Sequence, residues 1–152
     1  MTDPHLEKNA LTIRRLINAP RQRVFDAWTE PEHLKNWWHT DPNWSAEIVE
    51  VDFRVNGTYR LGMRDPQQDA PFVCGGRFVE IDPPSKVAYT WAWESSGMDV
   101  GETLVTVEFI DKGPATELVL THDRFPNAEA AAEHSKGWTG CINVFVGHVE
   151  SH

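Results

Sequence analysis

Alternation of apolar and polar residues, followed by one long helical stripe, is the feature that most restricts how this chain can fold. In several segments between residues 49 and 122 apolar side chains recur at every second position, which predicts antiparallel strands with one apolar face. From Ala128 to Val149 the apolar spacing becomes three and four residues, which predicts a helix on the order of 30 Å long. The stripe of this helix can cover the apolar face of the sheet. It consists of Ala131, Ser135, Trp138, Ile142, Phe145 and Val149.

Turn-forming residues divide the alternating region into six predicted strands. Asn56-Gly57 is a strong hairpin signal, and Asp82-Pro83-Pro84-Ser85 ends a strand because proline cannot donate to a ladder. Lys112-Gly113-Pro114 forms a further turn. The predicted strands cover residues 49–55, 59–63, 72–81, 87–93, 103–109 and 118–122.

The amino-terminal third adds one strand and two short helices. Residues 11–17 form the predicted strand, which stops at Asn18-Ala19-Pro20, and residues 1–9 precede it as a polar tail. One helix follows Pro20 and a second begins at Pro31. Their apolar faces carry Val24, Ala27, Trp28, Leu34, Trp37 and Trp38.

Together these elements predict one α+β domain over residues 1–152, in which a curved antiparallel sheet of about seven strands wraps around the carboxy-terminal helix. A bent sheet and a straight helix cannot fit everywhere, so we expect a cavity between them near the short helices. Gly137 and Gly140 each weaken the long helix by about 1 kcal/mol relative to alanine. Either close backbone approach or simple tolerance accounts for them.

Composition argues against several functions. The net charge is −9 and no segment clusters Lys and Arg, so nucleic acid is not an expected partner. No stretch approaches the roughly 20 apolar residues of a membrane span, and no apolar leader opens the sequence, so we expect a cytoplasmic protein. Cys74 and Cys141 lack CxxC spacing, which favours buried, reduced thiols. Both a monomer and a homodimer are compatible with the sequence.

Several short motifs, in order, resemble the activator of heat-shock protein 90 ATPase homologue-like family, a branch of the START-like (birch-pollen-allergen-like, SRPBCC) superfamily. The resemblance spans nearly the full length and implies the helix-grip fold of that superfamily. One departure is Asn56, where the family favours a second glycine; asparagine also tolerates positive φ. The motifs are Asn18-Ala19-Pro20, residues 24–32, Trp37-Trp38, residues 52–59, residues 76–84, Tyr89-Thr90-Trp91, Thr116-Glu117-Leu118, Thr121-His122, His134 and Gly137-Trp138.

The resemblance and the strand parity together predict which side chains surround the interior. Large aromatic residues with a few polar tips on one concave face are typical of an apolar ligand pocket, although a packed core would use the same residues. The candidate ligand-binding residues are Trp37, Trp38, Phe53, Tyr59, Phe72, Tyr89, Trp91, Trp93, Leu118, Leu120, His122, Trp138, Ile142 and Phe145.

His122 has two interpretations, because it follows Leu118 and Leu120 on the inward face at the end of a strand. As a functional residue it orients a polar group of a ligand or acts as an acid or base; alternatively, it only hydrogen-bonds a backbone carbonyl and plugs the mouth of the cavity. No catalytic residues are assigned. The histidines lack HxH and HExxH spacing, so no metal and no cofactor is expected, and Asp26 with Glu30 belongs to a solvated helix face.

Three functions stay open. The first is binding of a small hydrophobic, aromatic or lipid-like molecule without an assigned reaction. The second, implied by the resemblance, is regulation of a heat-shock protein 90-type chaperone. The third is a reaction of the polyketide cyclase, aromatase or hydrolase type, which also occurs in the wider superfamily.

Overall fold

The computed structural model describes residues 5–7, 9–94 and 100–151. It contains a curled antiparallel sheet and three helices. In chain order the elements are β1 (His5–Glu7), β2 (Ala10–Ile17), α1 (Arg21–Thr29), α2 (Pro31–Trp37), β3 (Ser45–Val51), β4 (Thr58–Arg64), β5 (Phe72–Asp82), β6 (Lys86–Trp93), β7 (Thr103–Lys112), β8 (Ala115–Asp123) and α3 (Ala128–Glu150).

The strand order is β1-β2-β8-β7-β6-β5-β4-β3, and every neighbouring pair is antiparallel. Strands β3 to β8 follow one another as hairpins, whereas β2 joins the far side by pairing with β8, where Ile13 lies opposite Leu120. The chain from β2 to β3 therefore crosses the open end of the sheet, and α1 and α2 lie on that crossing. Register shifts in the β3–β4 and β5–β6 pairs add to the bend of the sheet.

Helix α3 covers the concave face, as the helical stripe predicts. All six predicted stripe residues are buried, and the helix starts at Asn127, whose side chain accepts a hydrogen bond from the backbone N–H of Ala130 at 2.8 Å. The short helices close one end of the sheet. Trp37 ties them together, because its Nε1 donates to the carbonyl oxygen of Ala27 at 2.7 Å.

One expectation about the strands was wrong. Strand β3 ends at Val51, so Phe53 and Val55 lie in a six-residue connection, with 36% and 51% of their surfaces exposed, and Phe53 packs at the edge of the core against Phe25 and Phe78. Contacts with β5 explain this: the N–H of Asn56 donates to the Phe78 carbonyl, and the N–H of Phe78 donates to Gly57. Asn56 takes positive φ, 69°, so the turn itself is present. Strand β1 lies within the polar tail predicted over residues 1–9.

The two glycines that flank Trp138 differ. A Cβ at Gly140 would overlap the carbonyl oxygen of Thr40, whereas a Cβ at Gly137 would meet nothing within 4 Å. Thr40 also donates its hydroxyl to the carbonyl oxygen of Gly137 at 2.9 Å. The close approach of Thr40 to the helix therefore explains the glycine at position 140. The same contact holds the segment after α2 against α3.

We predict that Gly140→Ala lowers the free energy of unfolding by about 1–3 kcal/mol, because the added methyl group displaces the backbone at Thr40. Gly147→Ala, in the same helix with nothing within 4 Å of its Cβ, is the matched control and should raise that free energy by up to about 1 kcal/mol. Urea unfolding followed by circular dichroism measures both. Equal effects of the two substitutions would contradict the close approach.

Candidate functional site

A cavity of about 260 Å³ lies between α3, the sheet and the segment that follows α2. Helix α3 contributes one wall, strands β4, β5 and β6 contribute the other, and residues 38–44 close one side. The lining is almost entirely apolar. It consists of Trp38, Thr40, Trp44, Met63, Phe72, Trp91, Trp93, Glu133, His134, Gly137, Trp138 and Cys141.

Three indole rings form the inner end of the cavity. The ring centroid of Trp138 lies 5.2 Å from that of Trp91 and 5.6 Å from that of Trp38, and Trp38 and Trp91 are 5.8 Å apart. Trp44 stacks on Phe72 at 5.7 Å with an interplanar angle of 15° and forms another part of the wall. Such aromatic pairs are worth about 0.5–1.5 kcal/mol each beyond the area that they bury, so the lining is held rigidly.

His122 is fully buried beneath this lining and does not line the cavity. Nε1 of Trp138 donates to its Nδ1 at 2.9 Å, so the ring proton is on Nε2, which lies 2.7 Å from the hydroxyl oxygen of Thr103. Thr103 in turn donates to the carbonyl oxygen of Trp91 at 3.1 Å. Every polar atom of the imidazole is thus used within the protein, but the partners are two side chains and not a backbone carbonyl, and the ring lies in the core and not at the mouth of the cavity.

His134 does line the cavity, and its ring nitrogens are also occupied. Nδ1 lies 2.8 Å from the carbonyl oxygen of Ala130, and Nε2 accepts a hydrogen bond from Nε1 of Trp93 at 2.8 Å. Because the carbonyl can only accept, the proton is on Nδ1. The side chain therefore fixes the orientation of Trp93 against the helix.

Burial makes both imidazoles weaker bases. Desolvation and the neighbouring His134 lower the pKa of His122 well below its usual range, and desolvation lowers the pKa of His134, offset in part by its bond to Ala130. Both rings are neutral near pH 7, which agrees with the acceptor role of one nitrogen in each. Protonation of either ring would break its bond to a tryptophan.

The thiols of the cavity region are also neutral. Cys74 and Cys141 are free and buried, and Cys141 lines the cavity. Burial raises the pKa of Cys141 to about 12 and that of Cys74 well above its usual range. Since the thiolate is the nucleophilic form of cysteine, neither residue is activated for nucleophilic attack.

Two of the tryptophans that line the cavity have a buried indole N–H group without a hydrogen-bond partner among the described residues. Nε1 of Trp38 and Nε1 of Trp91 are buried and unpaired among the described residues, whereas Nε1 of Trp93 and of Trp138 donate to histidines. The exposed fractions of Trp38 and Trp91 are only 2% and 3%. Solvent therefore does not satisfy these two donors.

The structure places the predicted site residues in four environments. Trp38, Phe72, Trp91, Trp93 and Trp138 line the large cavity. Trp37, Tyr59 and Tyr89 border a space of about 20 Å³ on the far side of Trp38, which has room for about one water molecule. The apolar core holds Leu118, Leu120, His122, Ile142 and Phe145, and Phe53 is on the surface.

Seven lining residues were not among the predicted ones: Thr40, Trp44, Met63, Glu133, His134, Gly137 and Cys141. The spacing of apolar residues in the sequence could have identified some of them. Met63 alternates in phase with Tyr59 and Leu61, while His134 and Cys141 are four residues before and three after Trp138, on one side of the helix. Thr40 and Trp44 belong to an irregular segment, for which no periodicity exists.

Comparison with known proteins identifies the family. The family model described as "Activator of Hsp90 ATPase homolog 1-like protein" matches residues 18–150. The chain belongs to this family. The match starts at Asn18 and runs through α3, so it includes every element that lines the cavity. No curated protein matches the chain.

Solved structures show the same fold. A Chromobacterium violaceum protein has a TM-score of 0.82 and 22% identity, covering 93% of this chain and 98% of its own. A Mycobacterium smegmatis protein has a TM-score of 0.82 and 18% identity, covering 99% and 94%. One from Rhizobium leguminosarum has a TM-score of 0.76 and 25% identity, covering 99% and 100%. Within the described residues, no helix is long and apolar enough to cross a membrane.

We predict that the free energy of unfolding falls as the pH is lowered below about 6.5. His122 and His134 have lowered pKa values in the folded chain, so between those values and the ordinary pKa of 6.5 the unfolded chain binds more protons. The slope approaches at most about 1.4 kcal/mol per pH unit for each histidine. Urea unfolding between pH 7.5 and 5.5 measures it.

The double variant His122→Gln/His134→Gln is the comparison, because it removes both imidazoles and keeps side chains that can form hydrogen bonds. It should be less stable at pH 7.5 and show a flatter dependence on pH. An unchanged slope in this variant would assign the pH dependence to other groups.

Proposed function

We propose that this protein binds a small apolar molecule, aromatic or lipid-like, in the cavity between the sheet and α3, with no reaction assigned. The observation that carries the proposal is the cavity itself. A partly open space of about 260 Å³, lined by five indole rings, Phe72 and Met63, is unlike the well-packed interior of a domain, where voids larger than a water molecule are few. Pockets of this composition bind organic ligands.

The volume limits the size of the ligand. An engineered apolar cavity of about 150 Å³ stays dry and holds benzene, so about 260 Å³ suits a molecule of one or two fused rings. A long acyl chain would extend beyond it. The walls favour a flat ligand as well, because aromatic side chains gain from stacked and edge-on contacts.

The absence of an assigned reaction follows from the state of the titratable groups. His134 has both nitrogens in use, and the thiol of Cys141 is protonated. Glu133 is exposed at the rim and pairs loosely with Lys136 at 3.7 Å. His134 is neutral, but its basic nitrogen already accepts the N–H of Trp93, so apart from the rim carboxylate no described lining side chain offers an unbonded base or a deprotonated nucleophile.

The family description favours a second candidate, contact with a chaperone of the heat-shock protein 90 type. Such a contact would use the outer surface and leave the cavity free. The test is a titration of the purified chaperone with this protein, in which binding and the ATPase rate of the chaperone are measured. Saturable binding with a raised ATPase rate would support the second candidate, and its absence would remove it.

We predict that the neutral ligands naphthalene and indole raise the melting temperature of the native chain but not that of Gly137→Leu. Gly137 lines the cavity and a side chain there meets open space, so leucine should fill the volume that a ligand needs. Binding to the folded state alone stabilises it by mass action. Differential scanning fluorimetry measures the shift.

Gly147→Leu is the matched control, since it adds the same side chain to the same helix outside the cavity lining. It should keep the native response to both ligands. An equal shift in Gly137→Leu, or no shift in the native chain, would contradict ligand binding in this cavity.

A further inference from the structure

The orientation of one cavity wall depends on a hydrogen bond that exists only while an imidazole is neutral. Trp93 ends strand β6 and lines the cavity, and its Nε1 donates to Nε2 of His134 at 2.8 Å. His134 also lines the cavity, and its Nδ1–H is directed at the carbonyl oxygen of Ala130 at 2.8 Å. An imidazolium carries a proton on both nitrogens, so its Nε2 has no lone pair for Trp93.

Protonation of His134 would bring two donors face to face, the Nε2–H of the imidazolium and the Nε1–H of Trp93. One ring has to turn away, because neither N–H group then has an acceptor in this contact. Trp93 is the less constrained of the two. It is half-buried, whereas only 8% of the surface of His134 is exposed and its Nδ1 stays bonded to the helix. Acidification therefore rearranges this wall of the cavity.

Charge adds a second effect with the same sign. The imidazolium would face a lining in which, among the described residues, Glu133 at the rim is the only ionised group. An apolar ligand in the cavity takes the place of water that would hydrate this charge, and loss of hydration disfavours a charged group. Ligand and proton therefore oppose each other at His134.

The titratable or charged groups around His134 come from two elements. Helix α3 contributes Glu133, whose charge favours the imidazolium, and strand β8 contributes His122, with a ring centroid 5.5 Å away. Strand β6 presents Trp93 and the segment before α3 presents Phe125, neither of which titrates. Desolvation lowers the pKa of His134, but it lowers that of the deeper His122 further, so His134 takes up the first proton.

We infer that ligand binding in this cavity is coupled to the protonation of His134: the neutral imidazole, bonded to Trp93, is the form that binds, and acidification releases the ligand. This inference rests on the proposed function and adds a regulation that hydrophobic binding alone does not contain. His134 is a positioning residue here, since it acts through Trp93. Affinity is fully present above the pKa of His134 in the free protein and is lost as the pH falls through it.

Titration calorimetry with naphthalene and with indole tests the coupling, since neither ligand gains or loses a proton between pH 7.5 and 5.0. The affinity of the native chain should be the same at pH 7.5 and 7.0. It should weaken below that, by at least about threefold at pH 5.0 and by at most about tenfold per pH unit. Circular dichroism at each pH defines the range in which the chain is folded.

Nitrogen–proton correlation NMR of the histidine rings follows the proton directly. The ring nitrogens of His134 should titrate at a lower pH in saturating indole than without ligand, because the coupling acts equally in both directions. The indole N–H signal of Trp93 should follow the same curve, since it loses its acceptor on protonation of His134. This measurement needs no substitution that could disturb folding.

Variants assign the pH dependence to a particular residue. His134→Gln cannot be protonated but keeps an acceptor for Trp93, so its affinities at pH 7.5 and 5.0 should differ by only about onefold, whatever their absolute value. A purely structural role of His134 would instead weaken binding alike at both pH values and keep the native ratio. His33→Gln is the matched control, because His33 of α2 contacts His148 at 2.9 Å and lies outside the cavity lining. It should keep the native ratio.

The outcomes distinguish the inference from the proposed function. If the affinity of the folded native chain is unchanged down to pH 5.0, or His134 titrates at the same pH with and without ligand, the inference is overturned and apolar binding stands. A native ratio in His134→Gln also overturns it, because another group then carries the pH dependence. If neither ligand binds at pH 7.5, both fall.

Discussion

The packing of Trp138 between α3 and the sheet is the interaction on which the rest of the structure depends. Its ring contacts Trp28, Trp38 and Trp91 with centroids 5.2 to 6.0 Å apart, and its N–H group bonds to His122 of β8 at 2.9 Å. One side chain thus links the long helix to the short helices and to both halves of the sheet. Because a straight helix touches a curved sheet along only part of its length, closure at Trp138 leaves the open volume beside it.

The buried histidines are also positioned around Trp138. His122 lies beneath Trp138, and His134 lies one helical turn before Trp138. Each imidazole accepts a hydrogen bond from a tryptophan N–H group, which agrees with the lowered pKa of both imidazoles. These bonds hold two tryptophans of the cavity wall in place and leave neither histidine with an unbonded ring nitrogen for acid–base catalysis. Two further indole N–H groups, on Trp38 and Trp91, are buried without a partner among the described residues.

Periodicity in the sequence predicted most of the fold, since alternation reports which face of a strand is buried and the Ala131-to-Val149 stripe reports the buried face of the helix. It failed where nonlocal bonds decide, as at Phe53, because pairing of Asn56 and Gly57 with Phe78 bends the chain away from β3. For the site, parity selected Trp91, Trp93 and Trp138, but it selected Leu118 and Phe145 equally. Periodicity shows which face of a helix or strand a residue lies on. It does not show whether the residue lies where helix and sheet separate, and Trp44 lies on no periodic element.

The central claim is that helix and sheet leave an apolar cavity between them, and a structure determined from crystals under xenon pressure tests it most directly. Xenon enters apolar cavities and avoids packed or hydrated interiors. The account predicts a xenon atom between Met63, Trp91 and Trp138, with no displacement of the surrounding rings. Side chains or ordered water filling that space, with no xenon there, would contradict it.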